Sequence, residues 1–562
     1  MQDNFNIDWR IIPSLRLQGR FSYTKQLDKE EEFKSPKSPE FNYLSNEIED
    51  KEKNKGSYYI KNNKSENLDG HVTLSFFKNL GKNVINVGVG SNVMSAISKG
   101  DWYTASGFVS ESIDFIGAAT AFKYKSTPAG SYDKSRLIGF FANLNYGYDN
   151  RYFLDLSYRT DGSSKFGRDS RFAPFWSAGI AWNVHKEHFV NWHERNTLKL
   201  RFSAGSTGSV NFSSSQAMTT YYYDFENEYN GYYGVMLKGY GNPELKWQNT
   251  VAYNLGLDWS LLKGRVQLNV DAYLKVTDNL LLPIHIAPST GFYSYTENLG
   301  KSENRGIEGR VRVNIIESRE KDLNWNITLA AFSNRNRIKK LSNMLEKMNE
   351  TANSEDVLKS GDVYRQYAEG RSQSALMLVR SAGIDPATGN EVFIKRDGSY
   401  TFEYDYRDKV EVGDMLPKVE GTFNSNLTWK GLNVYLLFRY KWGGKTYNST
   451  LADKVENNWQ HYERVRNKDK RALYDRWQNP GDEALYRRID IRTNAYQSTR
   501  LMQEDNLFSL QSISVAYDLP LKYASYIKAD RVKIMASTTD VFRISSIRQE
   551  RGLLILLQGP FH

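Results

Sequence analysis

Hydrophobic and polar residues alternate strictly along most of this chain. Within residues 265–277, one face collects the apolar side chains Val266, Leu268, Val270, Ala272, Leu274 and Val276. The same alternation recurs at residues 15–23, 152–158 and 323–329. Strict alternation is typical of β-strands, because successive side chains of a strand point to opposite faces. The pattern predicts about sixteen strands, many of which reach the roughly 9–11 residues that cross a bilayer.

The connections between these segments alternate between short and long. Short links lie at residues 149–150, 262–264, 317–322 and 430–431, and long ones at 209–247, 278–304, 334–420 and 442–505. Long loops are uncommon in compact soluble domains, whereas outer-membrane barrels combine short periplasmic turns with long extracellular loops. The sequence therefore predicts an all-β fold, an antiparallel transmembrane β-barrel. Residues 25–56, whose composition is typical of disorder, are expected to form an extracellular loop. Residues 185–196 are expected to form a helix–turn at the periplasmic rim.

Composition narrows the classes of protein that fit. Mean hydropathy is −0.62 over 562 residues, and no run approaches the 18 or so apolar residues of a membrane helix. Aromatic residues reach 14%, which suits the interfacial girdles of a barrel but also many β-sandwiches. The chain has no cysteine, which excludes disulfides and Cys-based zinc sites. The net charge is +10, but the basic residues alternate with apolar ones along strands, so no nucleic acid is expected as a partner.

Several stretches resemble the SusC/RagA family of TonB-dependent outer-membrane transporters, and they follow one another in the family's order. They are YRTDGSSKFG (158–167), LKLRFSAG (198–205), NPELKW (242–247), NRGIE (304–308), GIDPATG (383–389), DRW (475–477), PGD (480–482) and YDLP (517–520). Each motif is weak alone, but their order and spacing make the match specific. The resemblance implies a 22-stranded barrel that imports oligosaccharides or peptides. It also implies a SusD-like surface lipoprotein, the TonB–ExbB–ExbD complex and outer-membrane lipid as partners.

The chain also departs from that family. The family's N-terminal plug, TonB box and signal peptide have no counterpart here, and the first ten residues contain neither a basic nor an apolar export region. Residues 1–541 are therefore expected to be a partial barrel, with about sixteen of the family's 22 strands. Residues 542–562 are expected to diverge from the family's closing strand through a frameshift near Gly552. An outer-membrane location is expected for the family, although export of this chain has no visible signal.

A group of tyrosines is the first candidate binding site. These residues are Tyr221, Tyr222, Tyr223, Tyr229, Tyr232 and Tyr233, all in a predicted extracellular loop. Flat amphipathic rings suit sugar stacking or contact with a protein lid, and loop packing is the simpler explanation. Asp161, Arg168 and Arg171, together with Asp169, form a charged loop. It either contacts ligand or makes ordinary hydrogen bonds at a loop tip.

Other chemistry is weakly supported. His185, His188 and His193 lie on a short turn without a strong pattern of carboxylates, so solvated rim residues are expected rather than a zinc site. The glycines of residues 205–208 and 383–389 lack the Gly-Lys-Ser/Thr of a phosphate loop. No catalytic constellation is recognisable, and no cofactor or enzymatic activity is expected.

Three functions remain open from the sequence. The first is the barrel of a TonB-dependent nutrient importer, and the second is a non-transporting remnant of such a gene. The third is a soluble β-rich module that binds glycans or acts as an adhesin. Fractionation without detergent separates the third from the other two. The identity of the substrate is not encoded in the composition of the loops.

Overall fold

A computed structural model gives the fold of residues 1–547, apart from short internal segments. The segments left out are 39–40, 42–50, 124–125, 168–169, 210–218, 240, 243–244, 286–293, 299, 342–367, 458–468 and 492. Of the end that is predicted to diverge (542–562), residues 548–562, including Gly552, also lie outside the described residues.

Strands dominate the described part of the chain. They are β1 (Gln2–Ile12), β2 (Leu15–Lys34), β3 (Ser57–Leu80), β4 (Asn83–Ser106), β5 (Ala121–Phe122), β6 (Ala129–Tyr148), β7 (Tyr152–Ser163), β8 (Phe172–Asn183), β9 (Thr197–Ser209), β10 (Thr220–Tyr229), β11 (Tyr232–Gly239), β12 (Gln248–Leu261), β13 (Val266–Asp278), β14 (Leu281–His285), β15 (Ser294–Asn298), β16 (Lys301–Ser318), β17 (Leu323–Lys340), β18 (Ala375–Ile384), β19 (Glu391–Ile394), β20 (Tyr400–Thr401), β21 (Lys409–Asp414), β22 (Val419–Trp429), β23 (Leu432–Tyr447), β24 (Met502–Asp518) and β25 (Lys533–Ser545).

Helices are short. The α-helical turns are Ser449–Leu451, Arg471–Tyr474 and Leu521–Ala524, and Ala452–Glu456 is a π-helical turn. The 3₁₀ turns are Lys51–Asn54, Ile116–Ala118, Val184–Lys186, Leu262–Gly264, Tyr406–Asp408, Thr499–Leu501 and Ser525–Ile527. None of the helices in the described segments combines the length and apolar character needed to cross a membrane.

Among the described residues, seventeen strands form one hydrogen-bonded sheet, and the small strands form three others. Apart from the two-residue β5, each strand of the large sheet pairs with its neighbour in chain order among these strands. This order confirms the prediction of about sixteen meandering strands, which the period-2 pattern had indicated. The small sheets are β10–β11, β14–β15 and β20–β19–β18–β21, all inside long connections.

The chain divides into two compact units. The first contains Met1–Gly179, Gly205–Asn249 and Leu281–Asn298, and the second contains Ile180–Ala204, Thr250–Leu280 and Leu299–His562. In the first unit, β1, β2, β3, β4, β6 and β7 form an antiparallel ladder. In the second, β13, β16, β17, β22, β23, β24 and β25 do the same.

The register in each unit keeps apolar residues opposite apolar residues. In the first unit, one row across five strands consists of Leu15, Phe76, Val87, Leu144 and Leu156. In the second, an equivalent row consists of Leu268, Val311, Leu329, Phe423 and Phe438. Directly opposed residues share a face of the sheet, so each unit has one apolar face and one polar face.

Turns and loops alternate as the sequence predicts. The β6–β7 turn has positive φ at Asp149 and Asn150, 52° and 53°, the conformation that two-residue hairpin turns need and that Asp and Asn tolerate. One expectation was wrong: residues 25–34 are not loop but the end of β2, paired residue by residue with β3 as far as Lys34 opposite Ser57. The pairing of every residue in this segment with β3 outweighs a composition typical of disorder.

Candidate functional site

The polar face of the second unit carries an ionic cluster that spans three strands. Arg201 on β9 donates from Nε to Asp258 on β12 at 2.8 Å, and from Nη2 to Asp271 on β13 at 3.2 Å. Asn254 and Asn269 donate to the same two carboxylates at 3.1 and 2.8 Å. The Arg201 side chain crosses β12 above Gly256, where a Cβ would lie 2.6 Å from Asp271 Oδ1. Because Gly256 has no side chain, the Arg201 guanidinium has room to reach Asp271 across β12.

The first unit contains a cluster of the same design, and it includes Asp161. Asn92, Gly139 and Asp161 stand opposite one another on β4, β6 and β7. Arg159 donates to Asp161 at 2.5 Å and, across Gly139, to Asn92 at 2.8 Å. The Asp161 carboxylate is thus already engaged by a neighbouring guanidinium on the wall, and its side chain is only 13% exposed.

An aromatic core lies at the loop end of the first unit. Leu245 and Trp247 of the NPELKW motif are buried with Phe166 and Phe175, and the rings of Phe166 and Trp247 stack at 4.6 Å. Trp247 donates to the carbonyl of Arg171 at 3.3 Å. The motif therefore packs the end of the loop that precedes β12 against the loop between β7 and β8. The side chain of Arg171 is exposed, and Arg168 lies outside the described residues.

The predicted tyrosine loop contains a β-hairpin. Tyr221, Tyr222 and Tyr223 lie on β10 opposite Leu237, Met236 and Val235 of β11, while Tyr229 pairs with Tyr232 and Glu228 with Tyr233. The side chains of Tyr221, Tyr222 and Tyr232 are 63%, 46% and 76% exposed. Val235 and Met236 are exposed as well. The hairpin thus presents unusually many apolar and aromatic groups to its surroundings, as a contact surface does.

Of the three histidines in residues 185–193, two form hydrogen bonds with nearby backbone groups and one is exposed to solvent. His185 Nδ1 lies 3.0 and 3.2 Å from the carbonyl and amide of Leu198, and His193 Nδ1 accepts from the Arg195 amide at 3.2 Å. His188 is exposed. Among the residues whose placement is described, no group of three His, Asp or Glu side chains has the geometry of a metal site.

Sequence reasoning missed a folded body built from two long connections of the second unit. Strand β18 is buried over five successive residues, Ala375 to Val379, and Val379 bridges Ser498 of the later connection. A second core joins Leu451, Ala452, Val455, Tyr486, Ala495 and Leu501. Three of the family-like motifs meet here, since Pro386 accepts from Trp477 Nε1 and from the Gly481 amide, both at 2.8 Å. We call residues 375–414 with 449–457 and 475–501 the loop body.

A buried ionic network holds the loop body together. Arg500 donates to Glu456 at 2.6 and 2.9 Å and to Glu391 at 3.0 Å, with all three side chains at most 3% exposed. Arg487 adds a bond to Glu456 at 2.5 Å, and Ser498 donates to Glu391. Three separate segments of the chain are thereby tied at one point.

The pKa values in this network follow from burial and opposite charge. Burial alone raises the pKa of Glu456, but the guanidiniums of Arg500 and Arg487 outweigh it and hold that pKa below its ordinary value. Burial opposes the charge of Arg500 as well, yet Glu391 and Glu456 raise its pKa. Glu456 and Arg500 are therefore both charged at neutral pH.

Comparison with known proteins gives consistent matches. A family profile described as "TonB dependent receptor-like, beta-barrel" matches residues 2–361. "TonB-dependent receptor P26" of Formosa agariphila is 25% identical over 538 residues, 92% of this chain and 52% of that protein. "TonB-dependent receptor SusC" of Bacteroides thetaiotaomicron is 30% identical over 289 residues, 49% of this chain and 27% of that protein.

The fold matches a solved structure over almost all of the chain. The "RagAB peptide transporter" structure superposes with a TM-score of 0.80 over 97% of this chain and 58% of that chain, at 20% identity. This likeness establishes the fold, a barrel wall of this type. The chain spans about half or less of the length of these relatives.

Proposed function

Because this chain belongs to the TonB-dependent receptor-like β-barrel family, and within it to the SusC/RagA type, we propose that it forms the barrel wall of an outer-membrane nutrient importer. The apolar face contacts lipid, and the polar face lines the path of the solute. The observation that carries the proposal is the unbroken apolar row in each unit. Such rows with polar residues on the opposite face are what a lipid-facing wall requires.

We propose oligosaccharides or peptides as the solutes, with a SusD-like lipoprotein on the side of the long loops and the TonB–ExbB–ExbD complex as the energy source. The support is that the similar proteins carry the names TonB-dependent receptor, SusC and RagAB peptide transporter. Polar clusters such as Arg201–Asp258–Asp271 suit the lining of a hydrated path, because hydrogen-bonding groups there replace water around a polar solute.

Membrane placement is tested by fractionation of cells that produce the chain. We expect it in the detergent-extractable fraction of the outer membrane. Recovery in the aqueous phase without detergent, as a folded protein, would instead support a soluble glycan-binding or adhesin module and contradict the proposal.

The exposed hairpin tyrosines are proposed to contact the solute or the lipoprotein. Serine in place of Tyr221, Tyr222 and Tyr232 is expected to lower uptake by an importer that contains this chain. Tyr526→Ser is the matched control, since Tyr526 is 77% exposed but lies in the turn between β24 and β25. Equal uptake by the triple variant and the control would rule out this role for the hairpin.

A further inference from the structure

On the apolar face of the first unit, four neighbouring strands each change from apolar to basic residues. Followed toward the long loops, β2, β3, β4 and β6 each carry an apolar run on this face. The first basic residues beyond those runs are Lys25, Lys64, Lys99 and Arg136. The register places Lys64 opposite Lys99. With Lys134, which follows Arg136 on the same face of β6, these residues form what we call the basic band.

The height of the band matches the edge of a bilayer. On β6, Tyr148 lies at the end with short turns and Ile138 is the last apolar residue of the run. The ten residue-to-residue steps from one to the other span about 33 Å along the strand, or about 25 Å along the membrane normal at a tilt near 40°. That distance is the thickness of the apolar belt of outer-membrane barrels. Arg136 is the next residue on this face, and Lys134 follows it.

The opposite face of the same strand segments has the opposite charge. It carries Asp28, Glu30 and Glu32 on β2 and Asp133 on β6, against Lys34 on β2 and Lys61 on β3. The face that continues the apolar rows also carries Glu31, Glu66 and Asp101, but its basic residues Lys25, Lys29, Lys64, Lys99, Lys134 and Arg136 outnumber them. The net charge of that face is therefore positive, and the net charge of the opposite face is negative.

Further toward the long loops, the band is followed by a second apolar cluster, formed by residues of β2 and β3 and by Phe108 just after β4. Phe33 and Phe108 contact edge to face with centroids 5.1 Å apart, and Tyr58 is buried against Phe108. Within the band, Lys64 pairs with Glu66 at 2.6 Å and Lys99 lies over the Tyr132 ring at 5.3 Å. Arg136 and Lys134 are exposed. The exposed positive charge therefore sits directly at the upper edge of the apolar rows.

We propose that the basic band binds the phosphate groups of an anionic lipid in the leaflet on the side of the long loops. This inference rests on the proposed function, because that function places the apolar rows in a bilayer. Lipid phosphates lie just outside the hydrocarbon region, at the level of Arg136 and Lys134. Lysine and arginine at such a surface attract anionic headgroups, and a guanidinium can bind a phosphate through two parallel hydrogen bonds.

The test uses the full chain in detergent, titrated with bis-phosphorylated lipid A and with the same lipid after its phosphates are removed. Bound lipid is counted by native mass spectrometry. The double substitution Lys134→Gln and Arg136→Gln is expected to weaken binding of the phosphorylated lipid about 25-fold, which is about fivefold for each charge. Lys61→Gln, on the opposite face of β3, is the matched control and is expected to bind as the unmodified chain does.

Equal affinity for the phosphorylated and phosphate-free lipids, or equal weakening by the control, would overturn the inference. Insertion is measured separately by flotation with phosphatidylcholine vesicles. A chain that inserts there but ignores the lipid phosphates contradicts the basic band alone. A chain that does not insert contradicts the proposed function as well.

Discussion

Replacing Arg500 by methionine removes the cation that joins the segments of the loop body. Methionine retains most of the side chain's length and apolar bulk, so the change mainly deletes charge and hydrogen bonds. Glu456 keeps its bond to Arg487 at 2.5 Å, but Glu391 keeps only the hydroxyl of Ser498. The Glu391 carboxylate, which is only 2% exposed, then has no counter-charge. Breaking a buried ion pair in this way lowers stability by about 3–5 kcal/mol.

That cost is measurable as local hydrogen exchange in the second unit. A loss of about 3 kcal/mol raises exchange roughly a hundredfold, at 1.4 kcal/mol for each factor of ten. We expect the increase in β18, β19 and residues 493–501, with the paired amides of β22 and β23 unchanged. Arg407→Met is the control, because the Arg407–Asp405 pair is exposed and such pairs contribute about 0–1 kcal/mol. If Arg500→Met exchanged no faster than this control, the network would not hold the loop body together.

Three further outcomes follow from the geometry. Gly256→Val should displace Arg201 from its passage and lower the unfolding free energy by about 1–3 kcal/mol, measured by denaturant titration. Gly234→Val, where an added Cβ meets nothing within 4 Å, should change it little. Because the pKa of Glu456 is held below its ordinary 4.5, its contribution is present above that pH and lost as the pH falls through the lowered pKa. Protection factors of the loop body, which correct for the pH dependence of intrinsic amide exchange, should therefore fall in acid, and Glu456→Gln should flatten that dependence. Trp247→Ala should lower the unfolding free energy by about 3–5 kcal/mol and expose Phe166, which fluorescence and limited proteolysis would detect. Unchanged proteolysis would contradict the role of Trp247 in the aromatic core of the first unit.

The wall could be predicted from the sequence because its signal is local. Alternation in residues 265–277 determines which side chains share a face, and antiparallel pairing then places them opposite residues with the same pattern. The family-like motifs additionally indicated which type of barrel the strands form. The Lys25–Lys34 end of β2 shows the limit of composition, since its charged residues lie in a paired strand.

The clusters could not be predicted because they depend on the meeting of distant segments. Glu391, Glu456 and Arg500 lie in three separate stretches, and nothing in their local sequence indicates a common partner. Gly256 likewise looks like any strand glycine until Arg201 is seen to cross above it. Tyr221 and Tyr222 were recognised as a group, but their place on a hairpin depends on the register with β11.

The β3–β4 hairpin keeps an unbroken register from Leu80 opposite Asn83 to Ser57 opposite Ser106. A single inserted residue in either strand would exchange the side chains of the apolar and polar faces over everything beyond it, or force a bulge. Insertions of two residues preserve the assignment. Length variation along this stretch of the wall is thus restricted to even steps unless a bulge absorbs an odd one, and no such restriction applies to the long connections.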